Sequence, residues 1–111
     1  MQKNSRLKGA SLIIWRFCYE GKSYYQSEGD FKLTPKLKVS MDHFMASEHE
    51  QIGKHKVVKI DRLDGVKIYL ENDSWCLLRS SGTEALLRIV TESTDQEVSE
   101  KLHHLMEKAI F

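Results

Sequence analysis

Proline is almost absent from this 111-residue chain, with one example at Pro35, and cysteine occurs only at Cys18 and Cys76. Two distant cysteines make no disulfide framework and carry no metal-ligand spacing. A reduced, cytoplasmic setting is therefore the expectation. Net charge is missing too: 17 basic against 16 acidic side chains leave +1, no electrostatic footprint for DNA or RNA. No run approaches the roughly 20 apolar residues of a membrane span. Leu12-Ile13-Ile14-Trp15 follows Lys3, Arg6 and Lys8 in faint imitation of a signal peptide, but Arg16 cuts the run short and no small-residue cleavage site follows. Neither a nucleic acid nor a membrane is expected as a partner.

Hydrophobic residues make up 41% and charged residues 30%, ordinary values for a soluble domain with one core. Residues 6–19 read as a helix, because Leu7, Ala10, Ile14 and Phe17 keep helical spacing. Leu12, Ile13 and Trp15 widen its apolar face around most of the cylinder. Such a helix is either buried in this domain or belongs to a preceding one. Gly21 to Asp30 reads as a linker. Thr34-Pro35 starts a second helix, a capping hydroxyl before proline at the first helical position. Its stripe is Leu37, Met41, Phe44 and Met45, the methionines serving as core filler.

Four strands follow at about Lys54–Asp61, Val66–Glu71, Trp75–Arg79 and Ala85–Thr91. Val66, Ile68 and Leu70 alternate with Lys67, Tyr69 and Glu71, which is period-two patterning. Asp64-Gly65 and Asn72-Asp73 supply turns. Thr94 and Glu97 read as a capping box, ahead of a last helix with Val98, Leu102, Leu105 and Ala109 as its stripe. Neighbouring strands usually pair. The expected fold is α+β: a four-stranded antiparallel sheet with two helices on one face, plus the N-terminal helix and linker.

Between the last two strands stands Arg79-Ser80-Ser81-Gly82-Thr83-Glu84. A phosphate monoester carries about 1.5 to 2 negative charges and three acceptor oxygens. Arg79 supplies a planar fork that matches two of them. Ser81 and Thr83 add hydroxyl donors, and Gly82 lets the backbone N–H approach an anion without a Cβ in the way. No G-x-x-x-x-G-K-[ST] pattern is present, so this is not a Walker A loop. An ordinary hairpin loop has much the same composition.

The context separates these two readings. Arg79 to Glu84 resembles the R-x-S-G-T-E-P signature in the C-terminal domain of the α-D-phosphohexomutases, which include phosphoglucomutase and phosphomannomutase. Leu63-Asp64-Gly65-Val66-Lys67, Ser74-Trp75 and Leu86-Leu87-Arg88-Ile89 follow the family's order and spacing, and Asp30-Phe31-Lys32-Leu33-Thr34-Pro35 resembles the stretch that enters this domain.

The resemblance implies a four-domain parent: a phosphoserine in the first domain, magnesium in the second, a sugar reader in the third and a phosphate-gripping loop in the fourth. On that basis residues 30–111 are the C-terminal domain and 1–29 a remnant of the preceding one. Arg79, Ser81, Gly82 and Thr83 would bind substrate phosphate, with Glu84 and Arg88 as candidate support. No catalytic residue, metal or cofactor is expected within this chain, magnesium being expected for the full-length parent. The partners would be a hexose phosphate and the missing domains. Ser80 and Ala85 depart from the family, which often has proline at both places; losing proline raises the ordering cost of the loop.

Other constellations are weaker. His103, His104 and Glu100 share a helix, but adjacent histidines point about 100° apart, which favours a solvated face over a metal site. Cys76 reads as a buried small hydrophobe. Arg88 either backs up the phosphate charge or pairs with Glu92. The alternative to the mutase domain is a stand-alone interaction module that docks a partner through the sheet or the apolar first helix.

Overall fold

A computed structural model describes residues 2–7, 10–81 and 85–111. Among these, eight strands are present: β1 (Gln2–Leu7), β2 (Ala10–Tyr19), β3 (Lys22–Lys32), β4 (Gln51–Ile52), β5 (His55–Asp61), β6 (Val66–Leu70), β7 (Ser74–Ser80) and β8 (Leu86–Ser93). Helix α1 (Pro35–Ala46) lies between β3 and β4, and α2 (Gln96–Ile110) follows β8. The order across the antiparallel sheet is β1-β2-β3-β8-β7-β6-β5-β4. The chain crosses once, from β3 through α1 to the far edge, and returns strand by strand until β8 closes against β3.

The α+β class stands, and the two expected helices feed one core. The sheet is larger than the four strands expected, and where a helix over 6–19 was expected the described residues are strand, the end of β1 and all of β2. Ile14 is buried on one side of β2, while Trp15 and Phe17 stand half-exposed, so the all-round apolar cylinder is a strand with apolar residues on both faces. Residues 21–30 are no linker either. Glu20 and Gly21 both have positive φ, 49° and 77°, the two-residue turn that joins twisted antiparallel strands. Along β3 the inward positions are Ser27, Gly29 and Phe31; two small residues hide the apolar alternation that would have marked a strand.

On the helix-bearing face, Val66, Ile68, Leu70, Cys76, Leu78, Leu87 and Ile89 meet Leu37, Met41 and Phe44 of α1 and Leu102, Met106 and Ile110 of α2. Each fully buried aliphatic side chain contributes about 1.5–3 kcal/mol. Cys76 is fully buried here, as expected, and burial pushes its thiol up to about 12. A bulge between Val57 and Lys59 of β5 lets Val57 and Ile60 both lean on the core, which interrupts simple alternation along that strand. No helix among the described residues is long and apolar enough to cross a membrane.

Both helix starts are capped. Thr34 Oγ1 accepts from the Leu37 N–H at 3.1 Å, with Pro35 in the first turn. Thr34→Ala should therefore cost about 1 kcal/mol, read as a lower urea midpoint at unchanged slope; an unchanged midpoint would show the cap to be idle. For α2 the cap is Asp95, accepting from the N–H groups of Glu97 and Val98 at 2.8 and 3.3 Å, one residue beyond the expected Thr94. Of the expected stripe, Leu102 is buried and Val98 and Leu105 pack against the core, while Ala109 is exposed; Ser99, His103, Met106 and Ile110 complete the inward face.

Candidate functional site

The open face of the sheet, opposite the helices, carries the polar chemistry. Arg79 of β7 stands directly across from Arg88 of β8, and Arg88 directly across from Asp30 of β3. Like charges opposite each other disfavour strand pairing. Here each guanidinium has a carboxylate on its outer side. Arg79 Nη1 donates to Asp64 Oδ2 at 3.1 Å. Arg88 donates from Nε and Nη2 to the two oxygens of Asp30 at 2.9 and 3.2 Å, and Glu28 lies 3.9 Å from Nε. The order across the strands is carboxylate, guanidinium, guanidinium, carboxylate.

This row lies beside a pocket of about 250 Å³ lined by Asp30, Arg79, Ser81, Leu86 and Arg88. The Ser81 N–H donates to the Leu86 carbonyl at 2.9 Å, closing the base of the β7–β8 connection. The Leu33 N–H donates to the Ala85 carbonyl at 2.8 Å and ties the same connection to the entry of α1. Gly65, with φ +78°, sits where a Cβ would strike Leu78 O at 2.5 Å and Arg79 Cβ at 3.0 Å. The Asp64-Gly65 turn thus supplies both a counter-charge and a close backbone wall for Arg79.

Of the residues singled out from sequence, Arg79, Ser81 and Arg88 come together around one pocket. Gly82, Thr83 and Glu84 lie outside the described residues. Glu92, one of the two alternatives for Arg88, instead accepts from Trp75 Nε1 and Gln26 Nε2, both at 2.8 Å. Among the described residues Arg88 meets the carboxylates of Asp30 and Glu28, both on β3. No local pattern marked them, because Asp30 is 58 positions away along the chain and β3 read as a linker.

His103 is not on a solvated face. It is fully buried, and neither ring nitrogen has a well-aligned hydrogen-bond partner. Gly29 leaves room for it: a Cβ there would meet His103 Nε2 at 2.9 Å. Burial pushes its imidazole down to about 4; the charge on His104 adds to the shift and the Ile89 backbone opposes it. Among the described residues no group of three or more His, Cys, Asp or Glu could hold a metal ion.

Residues 35–109 match the family model described as phosphoglucomutase/phosphomannomutase, C-terminal domain. A probable phosphoglucosamine mutase of Methanocella arvoryzae is 30% identical over 110 residues, 99% of this chain and 22% of that protein. A probable phosphoglucosamine mutase of Methanothermobacter thermautotrophicus is 43% identical over 68 residues, 61% of this chain and 15% of that protein. A phosphoglucomutase/phosphomannomutase of Thermococcus kodakarensis is 33% identical over 79 residues, 71% and 15% of the two chains. The chain thus spans between 15% and 22% of the length of these relatives.

Proposed function

The chain belongs to the phosphoglucomutase/phosphomannomutase C-terminal domain family, and on that premise we propose that its pocket binds the phosphate of a hexose phosphate. The observation that carries this reading is the pair of guanidiniums facing each other across β7 and β8 beside Ser81. Two planar forks at one pocket suit a ligand with three acceptor oxygens and a double negative charge. Gly82 and Thr83 complete the grip on this reading, and Glu84 supports it.

The role is that of a clamp. Holding the phosphate that does not react spends binding energy on orienting the sugar for a transfer whose chemistry lies in other domains of a parent enzyme. The domain contributes to 1-phosphate to 6-phosphate interconversion without performing it alone. Magnesium, on the same reading, belongs to those other domains. The relatives' names include both hexose and hexosamine mutases; the clamp grips the group that these substrates share.

Inorganic phosphate titrated into the 111-residue chain should shift the Ser81 amide and the Arg79 and Arg88 Nε signals, with a dissociation constant around millimolar because one wall of a site binds without the rest. Arg79→Ala should weaken binding about tenfold or more, as expected for loss of charge-assisted hydrogen bonds worth roughly 1.5–3 kcal/mol. Equal phosphate shifts in Arg79→Ala and wild type would refute the reading.

A further inference from the structure

The pocket contains a negative charge that an anion site has no evident need of. Asp30 lines it together with the two arginines, and its carboxylate occupies the Nε–Nη2 edge of Arg88. That edge is one of the faces on which a guanidinium grips a phosphate. A carboxylate and a phosphate are the same kind of partner there: each offers two oxygens to two parallel N–H donors. Asp64, at the other end of the row, differs in kind. Its side chain is 77% exposed against 40% for Asp30, and it is not among the pocket's lining residues.

The register accounts for the arrangement. Asp30, Arg88 and Arg79 hold one level of three adjacent strands, so their side chains leave the sheet on one face. Among the described residues the two guanidiniums face three carboxylates, Asp30 and Asp64 in contact and Glu28 at 3.9 Å from Arg88 Nε, so their charge is already met. An incoming dianion meets Asp30 as a like charge and as a rival for Arg88.

We propose that Asp30 is a resident competitor, which holds Arg88 at the pocket before phosphate arrives and yields the Nε–Nη2 edge to it on binding, so that the site exchanges one oxyanion for another. The inference rests on the phosphate-binding reading above. It makes Asp30 a determinant of affinity rather than a ligand. The exchange keeps the guanidinium oriented in the empty state, and it holds affinity down, which favours release.

The test compares wild type with Asp30→Asn, Glu28→Gln and Arg79→Ala in the 111-residue chain, titrated with inorganic phosphate and followed by Arg Nε and Ser81 amide signals. Asp30→Asn keeps the shape and one acceptor and removes the charge. It should bind phosphate about two- to fivefold tighter, the range that follows from losing one exposed charge interaction, and should lose affinity more steeply with added salt. Glu28→Gln, 3.9 Å from Arg88 Nε, should change affinity by less than about twofold, being outside hydrogen-bond reach. Unchanged or weaker binding by Asp30→Asn overturns the exchange and makes Asp30 a support for Arg88. An equal gain in Glu28→Gln overturns it too, by assigning the effect to bulk charge. If Arg79→Ala loses binding while Asp30→Asn gains none, the exchange alone fails. If Arg79→Ala binds like wild type, or no protein binds, the phosphate reading fails with it.

Discussion

Acidification should destabilise this domain on the order of 3 kcal/mol between pH 6.5 and pH 4, through His103 alone. The folded imidazole, pushed down by burial, takes its proton only near pH 4, whereas the unfolded one takes it near 6.5. Between those values the unfolded chain binds more protons, so stability falls as pH falls. Above 6.5 both forms are neutral and the contribution is level. Burial raises the Glu107 carboxyl, with the charge on His104 pulling the other way. Its folded form protonates before its unfolded form, which returns some stability as pH drops towards 4.5. The loss through His103 therefore runs from about 6.5 down to about 4, offset in part at its acid end by Glu107.

The geometry gives the loss a place. His103 faces Gly29 and the Phe31 ring of β3, 6.3 Å between ring centroids, so a buried imidazolium would strain the seam between α2 and the sheet. His103→Leu fills a similar volume without a titrating group. Urea denaturation at pH 7 and pH 5 should show a clear drop in wild type and most of that drop gone in His103→Leu. Equal slopes in the two proteins would place the titrating group elsewhere.

Gly65→Ala should cost about 2–4 kcal/mol, large for a single methyl group. Part of the cost is conformational: at φ +78° an L side chain is strained by roughly 1–2 kcal/mol. The rest is steric. The new Cβ would meet Leu78 O at 2.5 Å, Arg79 Cβ at 3.0 Å and Arg79 Cα at 3.2 Å, atoms of a paired strand with no flexible end to move aside. Gly21 supplies the control: φ is +77° and nothing lies within 4 Å of its Cβ position. Gly21→Ala should then show the conformational part alone, about 1 kcal/mol. The excess in Gly65→Ala measures the push against Arg79, and phosphate shifts should weaken with it. Equal losses in the two variants would mean that the backbone around Arg79 gives way freely.

The strands around the candidate site were legible because each carries its own pattern. Val66, Ile68 and Leu70 alternate cleanly with polar neighbours, and Asn72 and Asp73, both at positive φ, are turn residues in type as well as in place. The N-terminal strands were not legible. Period-two and period-3.6 readings compete when both faces are apolar, and Ile13, Ile14, Trp15 and Phe17 satisfy either. Ser27 and Gly29 are small because His103 and Ser99 occupy the space in front of them, a reason that exists only after folding. His103 was misread for a related cause: a histidine suits solvent by type, and only the cleft over Gly29 makes room for it inside. Within the site, Arg79 and Ser81 were found through the loop's chemistry, whereas Asp30 becomes a neighbour only through the pairing of β3 with β8.

A set of hydroxyls lies beneath α2. Ser27 and Ser99 share a 2.7 Å hydrogen bond, Thr91 Oγ1 donates to the Ser99 carbonyl at 2.7 Å, and Ser99 Oγ donates back to the Thr91 carbonyl at 3.2 Å. A greasy helix on a greasy sheet can slide by a turn at little cost. These groups meet at one setting only, and any slip strands them in a dry interior without partners. They act as a vernier for the helix: the apolar stripe decides that α2 docks, and three small hydroxyl side chains decide where it stops.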